Sequence, residues 1–154
     1  MFVNTVILDI PEKKHYQYTC VKRKDVHYKK TKKECVLDDV IFNKPGTKEK
    51  AVENLKLLSG KKHFQNSGVC IYLNNECVWD YSEAVEMVMH NLTDQEIKNY
   101  VEIENPIHAA GAYKFESLGC NLFSHVNGSS YSVRGMPLIP LLSALRELQI
   151  ISLK

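Results

Sequence analysis

At 154 residues the chain is long enough for one compact α/β domain with its own core and too short for two. A formal charge of +2 asks for no acidic partner, and 44% hydrophobic with 25% charged residues excludes a chain disordered throughout. No apolar run approaches the roughly 18 residues of a membrane span, and residues 1–10, with Asp9 running into Pro11-Glu12-Lys13-Lys14, lack the form of a secretory signal.

The charge is unevenly placed. Residues 1–34 carry nine basic and four acidic side chains, a local +5; residues 35–154 carry eleven and fourteen, a local −3. Residues 2–10 offer a short apolar strand. Residues 13–33 then mix Lys, Tyr and His with few aliphatics and no helical or strand period, which predicts a solvated stretch. Tyr16, Tyr18 and Tyr28 interleave with basic residues as in nucleic-acid binders, but no RNA- or DNA-binding motif accompanies them. Nucleic acid is not an expected partner.

From Val36 the pattern is regular. Val36-Leu37 and Val40-Ile41-Phe42 are β-prone, with Asp38-Asp39 between them. Asn43-Lys44-Pro45-Gly46 breaks the strand, and Thr47 is placed to cap a helix that ends at Ser59-Gly60. Its Ala51, Leu55 and Leu58 share one face. Residues 63–73 and 76–89 read as strands joined by an Asn74-Asn75 turn. Thr93 and Glu96 have capping-box spacing for a second helix, with Ile97, Tyr100 and Val101 inward and Asn105-Pro106 at its end. A loop with Gly111 and Gly119 leads to a strand over 121–126. Asn127-Gly128-Ser129 turns the chain, and Pro137 opens a last helix over 138–148. Strands and helices without strict βαβ alternation predict an α+β or mixed α/β sheet. Cys20, Cys35, Cys70, Cys77 and Cys120 are odd in number without a C-x-x-C pair, which predicts free, buried or half-buried thiols in a reducing, cytoplasmic setting.

Few residues announce chemistry on their own. Lys44, between a strand end and a helix start, can meet a phosphate beside the positive end of the helix dipole. Glu116, in Ala110-Gly111-Ala112-Tyr113-Lys114-Phe115-Glu116, can accept two hydrogen bonds from the N–H edge of a guanine-type base. Each also has a plain reading, as a lysine before a proline and as a solvent-facing loop acid. His63, His90, His108 and His125 have no metal-ligand spacing and no Ser or Cys partner, so packing or surface roles are expected. Neither a P-loop nor a G-x-G-x-x-G or G-x-S-x-G pattern occurs.

Six stretches, in order, say more together. Ile41-Phe42-Asn43-Lys44-Pro45 is similar to a G-K-P motif, Leu57 to His63 to L-S-G-x-x-H, and Asn66-Ser67-Gly68-Val69 to x-T-G-V. The helix from Leu92 to Tyr100, the run Ala110-Gly111-Ala112-Tyr113, and the run from Gly128 to Leu138 complete the series. Residues 36–148 thereby resemble the Maf family of nucleotide pyrophosphatases, relatives in fold of the inosine triphosphate pyrophosphatases. The resemblance implies one α/β domain, a mixed twisted sheet flanked by helices with a nucleotide cleft between two lobes. It implies an enzyme that splits a nucleoside triphosphate between its α and β phosphates. A divalent metal, usually magnesium, would bridge phosphate oxygens, a carboxylate would activate water, and the protein would pair as a homodimer. Lys44 takes the phosphate-neutralising role in this reading, and Ser67 and Gly111 line the pocket. Glu116 stands where one branch of the family has Gln and another, acting on 7-methyl-GTP, has Glu; Tyr113 to Gly119 is similar to the F-K-x-E-G-L-G form of the latter.

Two family motifs have no counterpart. Nothing resembling S-x-S-P-R-R occurs in residues 1–33, and Thr31-Lys32-Lys33, where A-D-T or A-D-Q is expected, holds no carboxylate. The resemblance therefore divides the chain into a divergent basic segment, 1–34, and a Maf-like domain, 35–154, with the family's N-terminal portion incomplete. Asp38 and Asp39 are the nearest candidates to replace the aspartate. The alternative to an active pyrophosphatase is a catalytically impaired nucleotide-binding or oligomerising remnant of that family.

Overall fold

A computed structural model describes the backbone of residues 3–5, 19–22, 26–30 and 33–151, and the side chains of residues 33–151. Among the described residues eight strands form one sheet: β1 (Val3–Thr5), β2 (Thr19–Lys22), β3 (Val26–Lys30), β4 (Glu34–Leu37), β5 (Val40–Phe42), β6 (Lys62–Leu73), β7 (Glu76–Met89) and β8 (Phe123–Asn127). Four helices accompany them: α1 (Lys48–Leu58), α2 (Asp94–Glu104), α3 (Ser130–Val133) and α4 (Leu138–Glu147). The long strand β6 organises the sheet. One of its edges pairs with β4 over Phe64 to Asn66 and then with β3 over Val69 to Leu73, while the other pairs with β7 along its length. Beyond these, β2 and β1 extend from β3, β5 extends from β4, and β8 adds to the end of β7. The α/β class is the expected one; every described pairing is antiparallel, so the parallel component of the expected mixed sheet is not among them.

Turn chemistry explains both tight hairpins. Asp38 and Asp39 sit at φ 47° and 63°, and Asn74 and Asn75 at 50° and 68°. Two consecutive residues of positive φ make the turn whose twist matches antiparallel strands, and Asp and Asn tolerate that conformation best after Gly. Helix caps also follow the sequence. Thr47 accepts a hydrogen bond from the Lys50 amide at 3.2 Å, and Thr93 and Glu96 close a reciprocal capping box. Asn105 ends α2 in the left-handed conformation, and Gly60 follows α1 at φ 70°.

Some expectations need correction. Residues 19–22 and 26–30, expected to lack a strand, have backbones that are strands of the sheet. Because β4 covers only a short part of one β6 edge, the N–H and C=O groups of Val69 to Leu73 need other partners, and β3 supplies them. Backbone demand outweighs the basic side chains. The remainder of the 13–33 prediction and the thiol of Cys20 lie outside the described residues. Cys35 and Cys70 are buried as expected, but Cys77 and Cys120 are exposed, one near the β6–β7 turn and one in a single-turn helix. The strand expected over 121–126 begins later, at Phe123, because Leu118–Leu122 forms a 3-10 helix that Gly119 enters.

The core lies against one face of the sheet in two clusters. The larger joins Cys35, Leu37, Phe42, Val85, Met87 and Tyr113 to α1 and α2 through Ala51, Leu55, Leu58, Ile97, Tyr100 and Val101. The smaller packs α4, through Leu141, Ala144 and Leu145, on Val69 and Ile71. The smaller rests on β6 directly, and β6 meets the larger through His63 and Gln65, which bond the Tyr113 hydroxyl. No helix among the described residues is long and apolar enough to cross a membrane.

Candidate functional site

Strand register places the candidate residues. In an antiparallel sheet, residues directly opposite one another point to the same face. Cys35 pairs with Phe42 on β5 and with Gln65 on β6, and Gln65 pairs with Val85 on β7. All four are buried, so Phe42, Cys35, Gln65 and Val85 form one inward row across four strands. Two residues along each strand lies the next inward row. Ser67 and Glu83 form it as a register pair, and the segments that continue β4 and β5 past their ends carry Lys33 and Lys44 towards it. Lys33 is confirmed on this face by its Nζ, 5.5 Å from the ring centroid of buried Tyr113. Lys44 follows the end of β5 and precedes Pro45, which biases it to extended backbone.

The sheet's own construction leaves this row polar. It falls where β6 changes partner, between Asn66, facing β4, and Val69, facing β3, and where the two apolar clusters part. Ser67 is only 4% exposed, and its Oγ has no hydrogen-bond partner. Glu83 is half-buried and its Oε2 accepts a hydrogen bond from the buried Ser132 hydroxyl of α3. The Lys44 loop is pinned by the Gly46 amide, which donates to the Ile107 carbonyl at 2.9 Å. That loop opens directly onto the N-terminus of α1.

Behind the row, Tyr113 ties the floor together. Its hydroxyl accepts from Gln65 Nε2, meets His63 Nε2 at 3.1 Å and lies 3.5 Å from Met87 Sδ. With its amide nitrogen held, Gln65 presents Oε1 as an unpartnered acceptor one row from Ser67. Burial pushes the Cys35 thiol up to about 12, and the Lys33 charge only partly opposes this, so Cys35 is a protonated packing residue and no nucleophile. Tyr113 is raised well above its ordinary value by burial and stays a neutral phenol.

His63 is fully buried between the rings of Tyr113 and Phe123. Burial lowers its pKa to about 4, with the Lys61 backbone opposing. Unfolding restores the ordinary value near 6.5, so the unfolded chain binds the extra proton first. Stability present above pH 6.5 is therefore expected to fall by about 3 kcal/mol as the pH drops through the folded value. Urea midpoints at pH 7 and pH 4.5 check this: His63→Asn should flatten the slope, and an unchanged slope would rule His63 out as its source.

The proposed residues do not all meet. Lys44 and Ser67 share the row. Gly111 stands beside it: a Cβ there would lie 2.9 Å from Cys35 Sγ and 2.8 Å from Tyr113 Cε1. Glu116 is exposed on the turn after Tyr113, on the side of α2, where burial raises Tyr100 and the Glu104 and Glu116 charges add to it. Asp38 and Asp39 hold the exposed turn at the opposite end of the β4–β5 hairpin, roughly 17 Å of extended chain from Lys44. Lys33 and Glu83 were not singled out in the sequence. The signal was available by counting outward from the two hairpin turns, since register puts Glu83 beside Ser67 and the chain enters β4 through Lys33.

Comparison with known proteins gives the chain its relatives. A family model described as Maf-like protein matches residues 7–148. The chain is 39% identical over 119 residues to a nucleoside triphosphate pyrophosphatase of Legionella pneumophila (strain Paris), covering 77% of this chain and 60% of that protein. It is 39% identical over 118 residues to one from Gluconobacter oxydans (strain 621H), covering 75% and 58%. It is also 34% identical over 110 residues to a 7-methyl-GTP pyrophosphatase of Rhizobium meliloti (strain 1021), covering 70% and 55%. The chain thus spans about three-fifths of the length of the curated relatives it matches.

Proposed function

Because this chain belongs to the Maf-like protein family, we propose that it binds a nucleoside triphosphate across the row Lys44, Lys33, Ser67 and Glu83 and hydrolyses it to the monophosphate and pyrophosphate. The observation that carries the reading is the Ser67–Glu83 register pair, an unpartnered buried hydroxyl beside a carboxylate, with Lys33 and Lys44 in the segments that continue β4 and β5. Phosphoryl transfer asks mainly for positioned charge, and this set provides it. Lys33 and Lys44 neutralise the phosphate oxygens, and Ser67 donates its hydroxyl proton to one of them. Glu83 takes the proton from water as the water oxygen bonds to the α phosphorus. The bond from that phosphorus to the bridging oxygen breaks, and pyrophosphate leaves with the electron pair. Asp38 and Asp39 stand too far along the hairpin to share this work.

Glu116 is proposed as the base reader. A carboxylate suits the N–H edge and the positive charge of an N7-methylated guanine, and the relative named 7-methyl-GTP pyrophosphatase supports the choice. The magnesium ion that the resemblance implies fits the described donors poorly. Glu83 is the row's one carboxylate and already accepts from Ser132, and no group of three His, Cys, Asp or Glu among the described residues is arranged to hold a metal. No step is routed through such an ion.

The engagement of Glu83 by Ser132 also favours a second reading, in which the chain binds a nucleotide but turns it over weakly or not at all. Pyrophosphate release from ATP, GTP, dTTP, UTP and 7-methyl-GTP separates the two. Turnover with a preference for 7-methyl-GTP that weakens in Glu116→Gln supports the first reading. Nucleotide binding by calorimetry without release supports the second.

A further inference from the structure

The Glu83 carboxylate has two serine hydroxyls beside it and is bonded to one of them. Ser67 stands directly opposite Glu83 in the β6–β7 register, where neighbours on one face have Cβ atoms about 4.5–5.5 Å apart. Yet the Ser67 hydroxyl has no partner, and Glu83 Oε2 accepts from the Ser132 hydroxyl of α3. Ser132 is fully buried, and its place is fixed from both sides. α3 packs against β6 and β7. Before it, Gly128 lies so close to the sheet that a Cβ there would approach both γ carbons of Val85 to 2.9 Å. Val85 is two residues from Glu83 on the same face of β7, so this approach sets α3 over the carboxylate. After it, the Gly135 amide donates to the Ser132 carbonyl at 2.8 Å, and buried Val133 packs in the larger cluster. Without the Ser132 hydroxyl the half-buried carboxylate loses a donor, and the unpartnered hydroxyl opposite it in the register is that of Ser67. A carboxylate resting on Ser67 would occupy its hydroxyl and repel any phosphate brought there.

We propose that Ser132 is a positioning residue that holds the Glu83 carboxylate on α3 and off Ser67, so that the Ser67 hydroxyl stays open to a phosphate oxygen. The proposal rests on the reading that a nucleoside triphosphate binds at the Ser67–Glu83 pair, and it concerns binding, so it is tested without turnover. The plain alternative is a hydrogen bond that only ties α3 to the sheet.

A double-mutant cycle with Ser132→Ala and Ser67→Ala separates the two, with the binding of α,β-methylene ATP and of inorganic pyrophosphate read by calorimetry in magnesium buffer. In the wild-type background Ser67→Ala should weaken binding about fivefold, the loss of one hydrogen bond. Ser132→Ala, which removes no contact to the ligand, should weaken it by as much or more. In the Ser132→Ala background Ser67→Ala should then change binding by less than about twofold, because the Ser67 hydroxyl is already occupied. Urea midpoints establish that each variant is folded, and Ser132→Cys, of similar volume with only a weak donor, stands in if Ser132→Ala does not fold. Binding unchanged by either single substitution, or losses that simply multiply in the double variant, overturns the proposal and leaves the nucleotide reading standing. No binding by the wild-type chain overturns both.

Discussion

Lys44→Ala is expected to lower kcat/KM for pyrophosphate release by about 100- to 1000-fold, the usual cost of removing one preorganised charge-stabilising group. The same substitution should leave the urea midpoint nearly unchanged. Lys44 is exposed, and no ion pair or hydrogen bond among the described residues is lost with its ammonium. Its backbone is held by other means: Pro45 restricts it to extended geometry, and Gly46 is bonded to Ile107. Steady-state kinetics beside urea unfolding separate a chemical loss from a structural one. A variant with wild-type turnover would remove Lys44 from the phosphate site.

Gly111→Ala is expected to act through structure, destabilising the fold by about 3–5 kcal/mol from left-handed strain together with core overpacking. Gly111 sits at φ +75°, where a side chain is strained whatever the space. The space is also missing, because the added methyl would approach Cys35 Sγ at 2.9 Å and Cys35 Cβ at 3.0 Å. Cys35 is fully buried and cannot give way easily. Because Gly111 lies beside Tyr113, whose hydroxyl holds Gln65, the damage should reach the floor of the site as well. Chemical denaturation measures the loss; a change under about 1 kcal/mol would mean that the 110–113 turn relaxes away from β4 at little cost.

Local signals in the sequence were enough for the elements that carry their own punctuation. The Asp38-Asp39 and Asn74-Asn75 turns, the Thr47 cap and the Thr93–Glu96 capping box act within a few residues, so reading them needs no knowledge of the rest of the chain. What escaped was set at longer range. β3 is held by the open edge of β6, about forty positions away in the chain, and its Lys29 and Lys30 hide the strand from a reading by hydrophobic period. The thiols of Cys77 and Cys120 are exposed because a hairpin end and a 3-10 helix carry them, which composition does not encode.

The site was legible in part for the same reason. Lys44 and Ser67 lie in motifs and could be named, whereas Glu83 joins Ser67 only through the pairing of β6 with β7, and Lys33 only through the path of the chain into β4. Asp38 and Asp39 were attractive because they are near Lys44 in sequence. A hairpin, however, carries its turn residues to the end opposite its open strands. Sequence proximity and spatial proximity part company within seven residues.

Pyrophosphate release by the wild-type chain, measured against Glu83→Gln, tests the central claim most directly. Glu83→Gln keeps an acceptor for the Ser132 hydroxyl while removing the proton acceptor, so it should fold normally. The account predicts release from at least one nucleoside triphosphate by the wild type and a loss of about 100-fold or more in the variant, the scale of general-base catalysis. Equal rates in the two proteins, or no release by the wild type from any nucleotide tested, would contradict it.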